Sequence, residues 1–296
     1  MILQNCKKNC KKINNQLEVY AMMRSGQHAI IHWLFDQIKE PIYFHNDILC
    51  HSNEKVFLDR GVWHNVKSRS PIKTFPWYAY NIEDISIENI DEIKTKYKKA
   101  LYIVPPKREV KVLVIRDPFN MFASRYRYFY RANTLRREAN IKPLRKNQRT
   151  NANSDISWFC EKALYRWKEY AREAVGETSF IGKKKIIINY NHWFKSKRYR
   201  KNISEKLGVN FSDAKLNFVP DNGYGSSFDV RSMNHNAQSM KVLSRWKHFA
   251  KDIVYKQFFN DYEIINLSLK LWPVLTKEII KEVELLDKGT IKEMGL

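Results

Sequence analysis

Short apolar runs alternate with stretches of helical periodicity along most of the chain. The strand-like runs lie at 17–23, 42–44, 79–84, 112–115 and 186–190. Helical spacing is found at 29–38, and a helix-start signal precedes the residues after Pro118. Helical spacing is also found in the stretch between the strand-like run at 186–190 and Gly208, at 253–271 and at 276–286. This alternation predicts an α/β fold, a single three-layer domain in which helices cover both faces of a central parallel sheet.

The chain shows no internal repeat and no long linker that would divide it. We therefore expect a basic N-terminal extension at 1–16 and one domain at 17–296, with a basic insertion near 131–155 and a helical C-terminus. No run approaches the roughly 18 apolar residues that span a membrane, and the N-terminus lacks an apolar signal segment. These features lead us to expect a cytoplasmic protein without a membrane span.

The net charge of the chain says more about its binding partners than its length does. The 296 residues include 53 Lys and Arg against 31 Asp and Glu, a formal net charge of +22, and 44% are hydrophobic. The hydrophobic share excludes general disorder, and the charge indicates an anionic partner. Nucleic acid, an acidic membrane, an acidic polymer and a phosphorylated small molecule are the candidates.

The basic charge is concentrated in 125–150, which holds nine Lys and Arg residues and one acid, Glu138. Four aromatic residues lie within it. The segment is either a solvated helix with a loop or a docking surface for an anionic acceptor or cofactor.

The four cysteines offer little chemistry. Cys6 and Cys10 have the spacing of half a metal site, but no second Cys or His pair follows. Free thiols in a reducing compartment are the simpler interpretation, and we expect no metal.

Two strand–loop–helix junctions have the character of anion sites. The first runs through Arg24-Ser25-Gly26 into a helix, so backbone N–H groups, a hydroxyl and a guanidinium converge at one point. The Walker A spacing and its Lys are absent, which disfavours an ATP or GTP phosphotransferase. At the second junction, Asp117 and Pro118 are suited to start a helix, and Arg116 with Ser124 could clamp a second phosphate.

These two loops resemble those of sulfotransferases that use 3′-phosphoadenosine-5′-phosphosulfate (PAPS). Arg24-Ser25-Gly26 resembles their 5′-phosphosulfate loop, and Arg116-Asp117-Pro118 with Ser124 is similar to their R-D-P-x5-S motif for the 3′-phosphate. Arg24 stands where the cytosolic branch usually has Lys and where many carbohydrate-modifying members have Arg. The chain therefore looks closer to carbohydrate and bacterial types.

Three later segments extend the resemblance to roughly residues 17 to 250. The strand at 185–190 is similar to the family's strand ending in Y-E-D-L, with Asn191-His192 in place of the acidic pair. Residues 225–229 resemble the T-S-F segment that contacts the adenosine. Residues 245–249 resemble a contracted R-K-G…W-K-x-H-F segment that lacks the Lys-Gly pair.

The resemblance implies a P-loop-NTPase-like sulfotransferase fold and transfer of a sulfuryl group from PAPS to a hydroxyl or amine. The product nucleotide is adenosine 3′,5′-bisphosphate, and no metal is implied. The acceptor would be a small molecule or a saccharide, and the basic segment favours an acidic one. The cofactor residues implied are Arg24, Ser25, Gly26, Gln27, His28, Ala29, Arg116, Ser124, Tyr190, Ser226, Ser227, Phe228 and Arg245.

Catalysis would need cations at the leaving phosphate and a base for the acceptor proton. Arg24 would supply the charge, and His28 would either touch the sulfonate or cap the helix. In carbohydrate-type members the base follows the second strand, which here points to His45 and Asp47. Glu83 and Asp84 are further candidates.

A nucleic-acid-binding protein is the competing class. It would explain the charge and the basic aromatic segment, but it gives the two anion loops no purpose, and no helix-turn-helix, RNP or zinc-finger signature is present. A non-catalytic relative that binds a nucleotide or a sulfated glycan is the other alternative.

Overall fold

One mixed sheet organises the molecule. The computed structural model describes residues 13–46, 62–65, 75–101, 106–127, 152–220, 225–229, 231–257 and 259–283. Its strands are β1 (Ile13–Ala21), β2 (Ile42–His45), β3 (Val62–His64), β4 (Phe75–Glu83), β5 (Arg108–Ile115) and β6 (Ile186–Asn189). Their order is β3-β2-β4-β1-β5-β6, and every pairing is parallel except β2 with β3.

Helices connect the strands and form the C-terminal part. In chain order they are α1 (Gln27–Gln37), α2 (Ile90–Leu101), α3 (118–127), α4 (Ala152–Val175), α5 (Tyr190–Lys195), α6 (Lys197–Leu207), α7 (Ile253–Gln257), α8 (Tyr262–Leu271) and α9 (Pro273–Val283). Short 3-10 turns occupy Ile87–Asn89, Ala237–Ser239 and Arg245–His248.

Alternating side chains of the strands enter two separate cores. On β1, Leu17 and Val19 pack with α1, α5 and α6, whereas Tyr20 faces the core shared by α3, α4, α8 and α9. Strands covered on both faces have near-continuous apolar sequences, which is the pattern seen at 112–115. The predicted α/β fold, with three layers and a central parallel sheet, is confirmed.

Several element bounds differ from the sequence-based ones. Strand β1 begins at Ile13, four residues before the predicted run. The segment predicted as one helix over 253–271 is two helices, and Asp261 caps the second by accepting from the backbone N–H groups of Glu263 and Ile264. The predicted Asp117 cap is confirmed, because its Oδ1 accepts from the backbone N–H of Asn120 at 2.8 Å. Of the predicted basic insertion, 131–151 lie outside the described residues.

The core behind β1 contains a buried ion pair. Glu18 is fully buried, Lys94 of α2 contacts its carboxylate, and the hydroxyls of Tyr20 and Tyr80 donate hydrogen bonds to it. Burial alone would raise the pKa of Glu18, but Lys94 and the tyrosine hydroxyls outweigh it and lower the pKa to about 2. A carboxylate in this core therefore stays charged because α2 supplies its partner.

Among the described helices, none is both long enough and apolar enough to cross a bilayer.

Candidate functional site

The carboxyl ends of the parallel strands surround a cavity of about 350 Å³, a volume within the range of small-molecule sites. The loop after β1, the start of α3 and the start of α5 meet there, as open α/β sheets commonly arrange their ligand sites. Eleven of the residues predicted to bind cofactor line this cavity: Arg24, Gly26, Gln27, His28, Ala29, Arg116, Ser124, Tyr190, Ser226, Ser227 and Arg245.

The loop between β1 and α1 is tightly folded. Arg24 and Gly26 both have left-handed backbone conformations, with φ of 69° and 85°. Tyr190 packs so closely on Gly26 that a Cβ atom there would lie 2.1 Å from its ring. Position 26 therefore requires glycine, which leaves room for Tyr190 while the start of α1 faces the cavity with its free N–H groups.

Arg116 joins three segments of the site. Its guanidinium lies 4.8 Å above the Tyr190 ring, donates to the Arg24 carbonyl at 3.1 Å and also donates to the carbonyl of Val242. The side chain is almost fully buried, and among the described residues its Nε has no hydrogen-bond partner. A buried N–H group left in this state at a cavity wall is suited to an anionic ligand.

A second guanidinium converges on the same region. Arg245 donates to Ser124 Oγ at 3.0 Å and to Ser226 Oγ, and its Nη2 lies 3.2 Å from Asp229 Oδ2. Its guanidinium also covers the ring of Phe228 at 4.8 Å. Phe228 itself supports Arg245 from outside the cavity lining.

Two cations held this close oppose each other. Burial and the neighbouring charge of Arg116 lower the pKa of Arg245 to about 10, although Asp229 acts in the opposite direction. A bound anion between them would relieve this repulsion and the desolvation. Among the described residues, the buried hydroxyls of Ser25 and Ser227 also have no hydrogen-bond partner. These unsatisfied groups fit a phosphate-bearing ligand, although Ser25 does not itself line the cavity.

The cavity wall beyond the cations is largely apolar. It is formed by Phe194, Leu216, Phe218, Val219 and Pro220 together with Met240. A flat ring could be buried between these side chains while its charged groups reach the two guanidiniums. Sequence reasoning missed this wall because four of its residues, at 216 and 218–220, lie between α6 and the first of the later 3-10 turns, where the sequence has no regular pattern.

Asp117 holds the cationic end together without contacting the cavity. Its Oδ1 accepts from the Asn120 side chain at 3.0 Å, and its Oδ2 accepts from Asn191 at 2.8 Å. Asn120 in turn donates to the Leu243 carbonyl and accepts from the backbone N–H of Trp246. The network fixes the segment carrying Arg245 against the start of α3. Burial raises the pKa of Asp117, with Arg116 opposing the shift.

A different group of polar side chains lines the cavity near the Arg24 loop and forms what we call its polar end. His28, Asn46 and Glu83 line it, and His28 Nε2 lies 2.8 Å from Asn46 Oδ1 and 3.5 Å from Glu83 Oε1. Burial lowers the pKa of His28, and the charge of Arg24 lowers it further, although the hydrogen bond with Asn46 opposes the shift. His28 is therefore neutral at pH 7.

The predicted base residues lie elsewhere. His45 is almost fully buried beside Tyr43 and Tyr78, with Nδ1 2.8 Å from the Tyr78 hydroxyl, and it does not line the cavity. Period-two alternation explains this, since Phe44 faces the α1 core and His45 follows Tyr43 to the other face. Asp47 lies outside the described residues. A base role for either residue stays a prediction.

The basic segment begins with a structural arginine. Arg125 is buried, donates to the Met23 carbonyl at 2.9 Å and pairs with Asp84, which also accepts from the backbone N–H of Met23. Arg127 lies 4.7 Å from the Phe228 ring, on which Arg245 also packs. Residues 128–150 lie outside the described part of the chain.

Comparison with known proteins finds a distant structural similarity. No family model matches the chain, and no curated protein matches it. Among solved structures, the chain is similar to the sulfotransferase domain of the Synechococcus PCC 7002 olefin synthase, with a TM-score of 0.39 and 13% sequence identity. The match covers 82% of this chain and 97% of that domain. A likeness this distant carries no conclusion about activity.

Proposed function

We propose that this protein is a sulfotransferase that moves a sulfuryl group from PAPS to a hydroxyl or amine. The observation that carries the proposal is the placement of Arg24, Arg116 and Arg245 around one cavity with an apolar wall. A nucleotide that bears anions at both its 5′ and 3′ positions needs two cationic ends joined by a surface for its base. The proposal is supported by the fact that residues from motifs far apart in sequence line the same cavity.

The 5′ end of the nucleotide would lie against the Arg24 loop. There, the free N–H groups at the start of α1 and the positive end of the helix dipole favour negative charge. Arg24 itself donates to the Gly225 carbonyl at 3.1 Å, which restrains its side chain. Fixed cations at this position would stabilise the charge that grows on a leaving phosphate.

The 3′-phosphate would lie at Ser124 and Arg245. Asp229 and Ser226 orient the Arg245 guanidinium, and Arg116 adds a second positive charge to the cavity lining. The adenine would enter the apolar wall that contains Phe218 and Val219. Loose in-line transfer depends mainly on positioning and charge, which are what these residues supply.

Calorimetry with adenosine 3′,5′-bisphosphate tests the donor site. We expect saturable 1:1 binding that falls at least about tenfold in Arg24→Met, because each charge-assisted hydrogen bond contributes about 1.5–3 kcal/mol. The matched control is Lys241→Met, an exposed cation on a neighbouring segment. Release of labelled sulfate from [³⁵S]PAPS, with water taking the place of the acceptor, tests turnover.

The same titration separates the competing classes. A nucleic-acid-binding protein would prefer a single-stranded oligonucleotide, and Arg24→Met would not affect that preference. A non-catalytic nucleotide-binding protein would bind the bisphosphate and release no sulfate. Either result would overturn the transferase proposal.

A further inference from the structure

The polar end of the cavity contains a carboxylate that the donor site does not use. Glu83 is the last residue of β4, and its register partner on β1 is Ala21, which directly precedes the loop leading to Arg24. Its side chain is 13% exposed and lines the cavity beside the start of α1. The sheet therefore places an acid next to the loop where the sulfuryl group would be held.

Asn81 and His28 are among the neighbours that hold this carboxylate in position. The Asn81 side chain donates to Glu83 Oε1 at 3.0 Å, and His28 Nε2 lies 3.5 Å from the same oxygen. His28 Nε2 is also 2.8 Å from Asn46 Oδ1. Since an amide oxygen can only accept, Nε2 carries the proton.

The tautomer decides which group can take a proton. His28 is neutral, because burial lowers its pKa, and its one ring proton is on the nitrogen that faces Asn46 and Glu83. The imidazole therefore presents a donor toward this end of the cavity. Among the described residues that line the cavity, Glu83 is the one carboxylate.

We propose that Glu83 accepts the proton of the attacking hydroxyl and that His28, held by Asn46, positions its carboxylate. This rests on the proposed sulfotransferase function. The acceptor oxygen forms a bond to sulfur as its proton moves to Glu83. The bond between sulfur and the 5′-phosphate oxygen breaks, and its electron pair stays on the phosphate. Glu83 afterwards returns the proton to solvent, so no oxidant or metal is consumed.

The assignment also restricts the acceptor. A carboxylate beside the reacting atom repels negative charge, so the attacking group is one that carries no negative charge before transfer. An acidic acceptor would have to keep its charges away from this end of the cavity. The basic residues of 125–150 are the part of the sequence suited to meet such charges.

Sulfate release from [³⁵S]PAPS, with water as the probe acceptor, tests the base directly. We expect Glu83→Gln to lower the rate at least about 100-fold, as loss of a general base does. Its affinity for adenosine 3′,5′-bisphosphate should stay within about threefold of the wild type, since an amide of the same size keeps the cavity shape. Glu88→Gln, on an exposed Glu at the start of the next turn, is the matched control and should change neither value.

Chemical rescue distinguishes the loss of a base from a structural defect in the Glu83 variants. Added formate should restore part of the rate in Glu83→Ala, whereas chloride at equal ionic strength should not. For the positioning role, His28→Gln retains an N–H donor and should keep most of the rate that His28→Ala loses. A near-normal rate in Glu83→Gln, or failure of formate to rescue Glu83→Ala, would overturn the base assignment alone. A wild-type protein that binds no bisphosphate and releases no sulfate would instead overturn the proposed function.

Discussion

The ring of Tyr190 occupies the space into which a side chain on Gly26 would project, with its Cε2 atom 2.1 Å from the ideal Cβ position. The contact links the anion loop to the start of α5. Because the Arg116 guanidinium also packs on this ring, 4.8 Å from its centroid, a change at Gly26 should alter the position of Arg116 as well.

Gly26→Ala should therefore disturb both stability and binding. The added methyl group must displace the ring of Tyr190, and the alanine must also adopt a positive φ. The control is Gly176→Ala, where φ is 83° and nothing lies within 4 Å, so only the backbone cost of about 1–2 kcal/mol applies. We expect Gly26→Ala to lose about 1–3 kcal/mol more, as overpacking does, in thermal unfolding. Its affinity for the bisphosphate should fall at least about tenfold. Equal stability losses in the two variants would contradict the contact.

Arg245→Met should remove discrimination at the 3′ position. The wild type should bind adenosine 3′,5′-bisphosphate more tightly than adenosine 5′-phosphate. The variant should lose about 2 kcal/mol of that preference, the usual value of hydrogen bonds to a charged group. Lys247, an exposed neighbour of Arg245, provides the control Lys247→Met. Calorimetry with both nucleotides, on the wild type and on Arg245→Met, gives the four affinities that define the preference. An unchanged preference in Arg245→Met would show that the 3′-phosphate does not bind there.

Lys94→Met should be strongly destabilising, because it leaves the buried carboxylate of Glu18 without its cation. Removing one partner of a buried pair costs about 3–5 kcal/mol in unfolding free energy. Lys111→Met, which breaks the more exposed pair with Glu109, should cost less than about 1 kcal/mol. Urea denaturation at pH 7 measures both. A small loss in Lys94→Met would mean that the pair contributes little.

The pH dependence of Lys94→Met provides a second check. In the wild type the folded-state pKa of Glu18 is about 2, below its ordinary value of 4.5. Its stabilising contribution is therefore present above pH 4.5 and is lost as the pH falls toward 2. In the variant, burial raises that pKa, so stability is lost as the pH rises through 4.5. The difference in unfolding free energy between the wild type and Lys94→Met should therefore become smaller from pH 7 to pH 4. A difference that stays constant would refute this explanation.

The basic segment should divide into structural and functional cations. Arg125→Met removes a buried guanidinium that pairs with the half-buried Asp84 and should destabilise the protein by about 1–3 kcal/mol. Changing Arg136, Arg137, Arg145 and Arg149 together to Gln should leave the melting temperature and bisphosphate affinity nearly unchanged while weakening use of an acidic acceptor. Loss of bisphosphate affinity in the fourfold variant would assign that segment to the nucleotide instead.

Local features were the most predictable from the sequence. The Asp117 cap, the start of α1 and the apolar strands depend on residues within a few positions of each other. The approach of Glu83 to His28 depends instead on β4 pairing with β1, which no local pattern specifies. Arg245 reaches Ser124 across 121 positions, and only the family resemblance suggested that placement. His45 shows that proximity along the chain does not decide which face of a strand a side chain takes.

The contacts of Arg24 and Arg116 also bear on the order in which the protein is made. Arg24 meets Gly225 across 201 positions, and Arg116 meets Val242 across 126. A nascent chain emerging from the ribosome can pair β1, β4 and β5 before either partner exists. Until then, Arg24 and Arg116 lack these two contacts at the carboxyl ends of β1 and β5, where their charge favours binding of polyanions. Completion of the last third of the chain supplies both contacts and places the two arginines in the lining of the cavity.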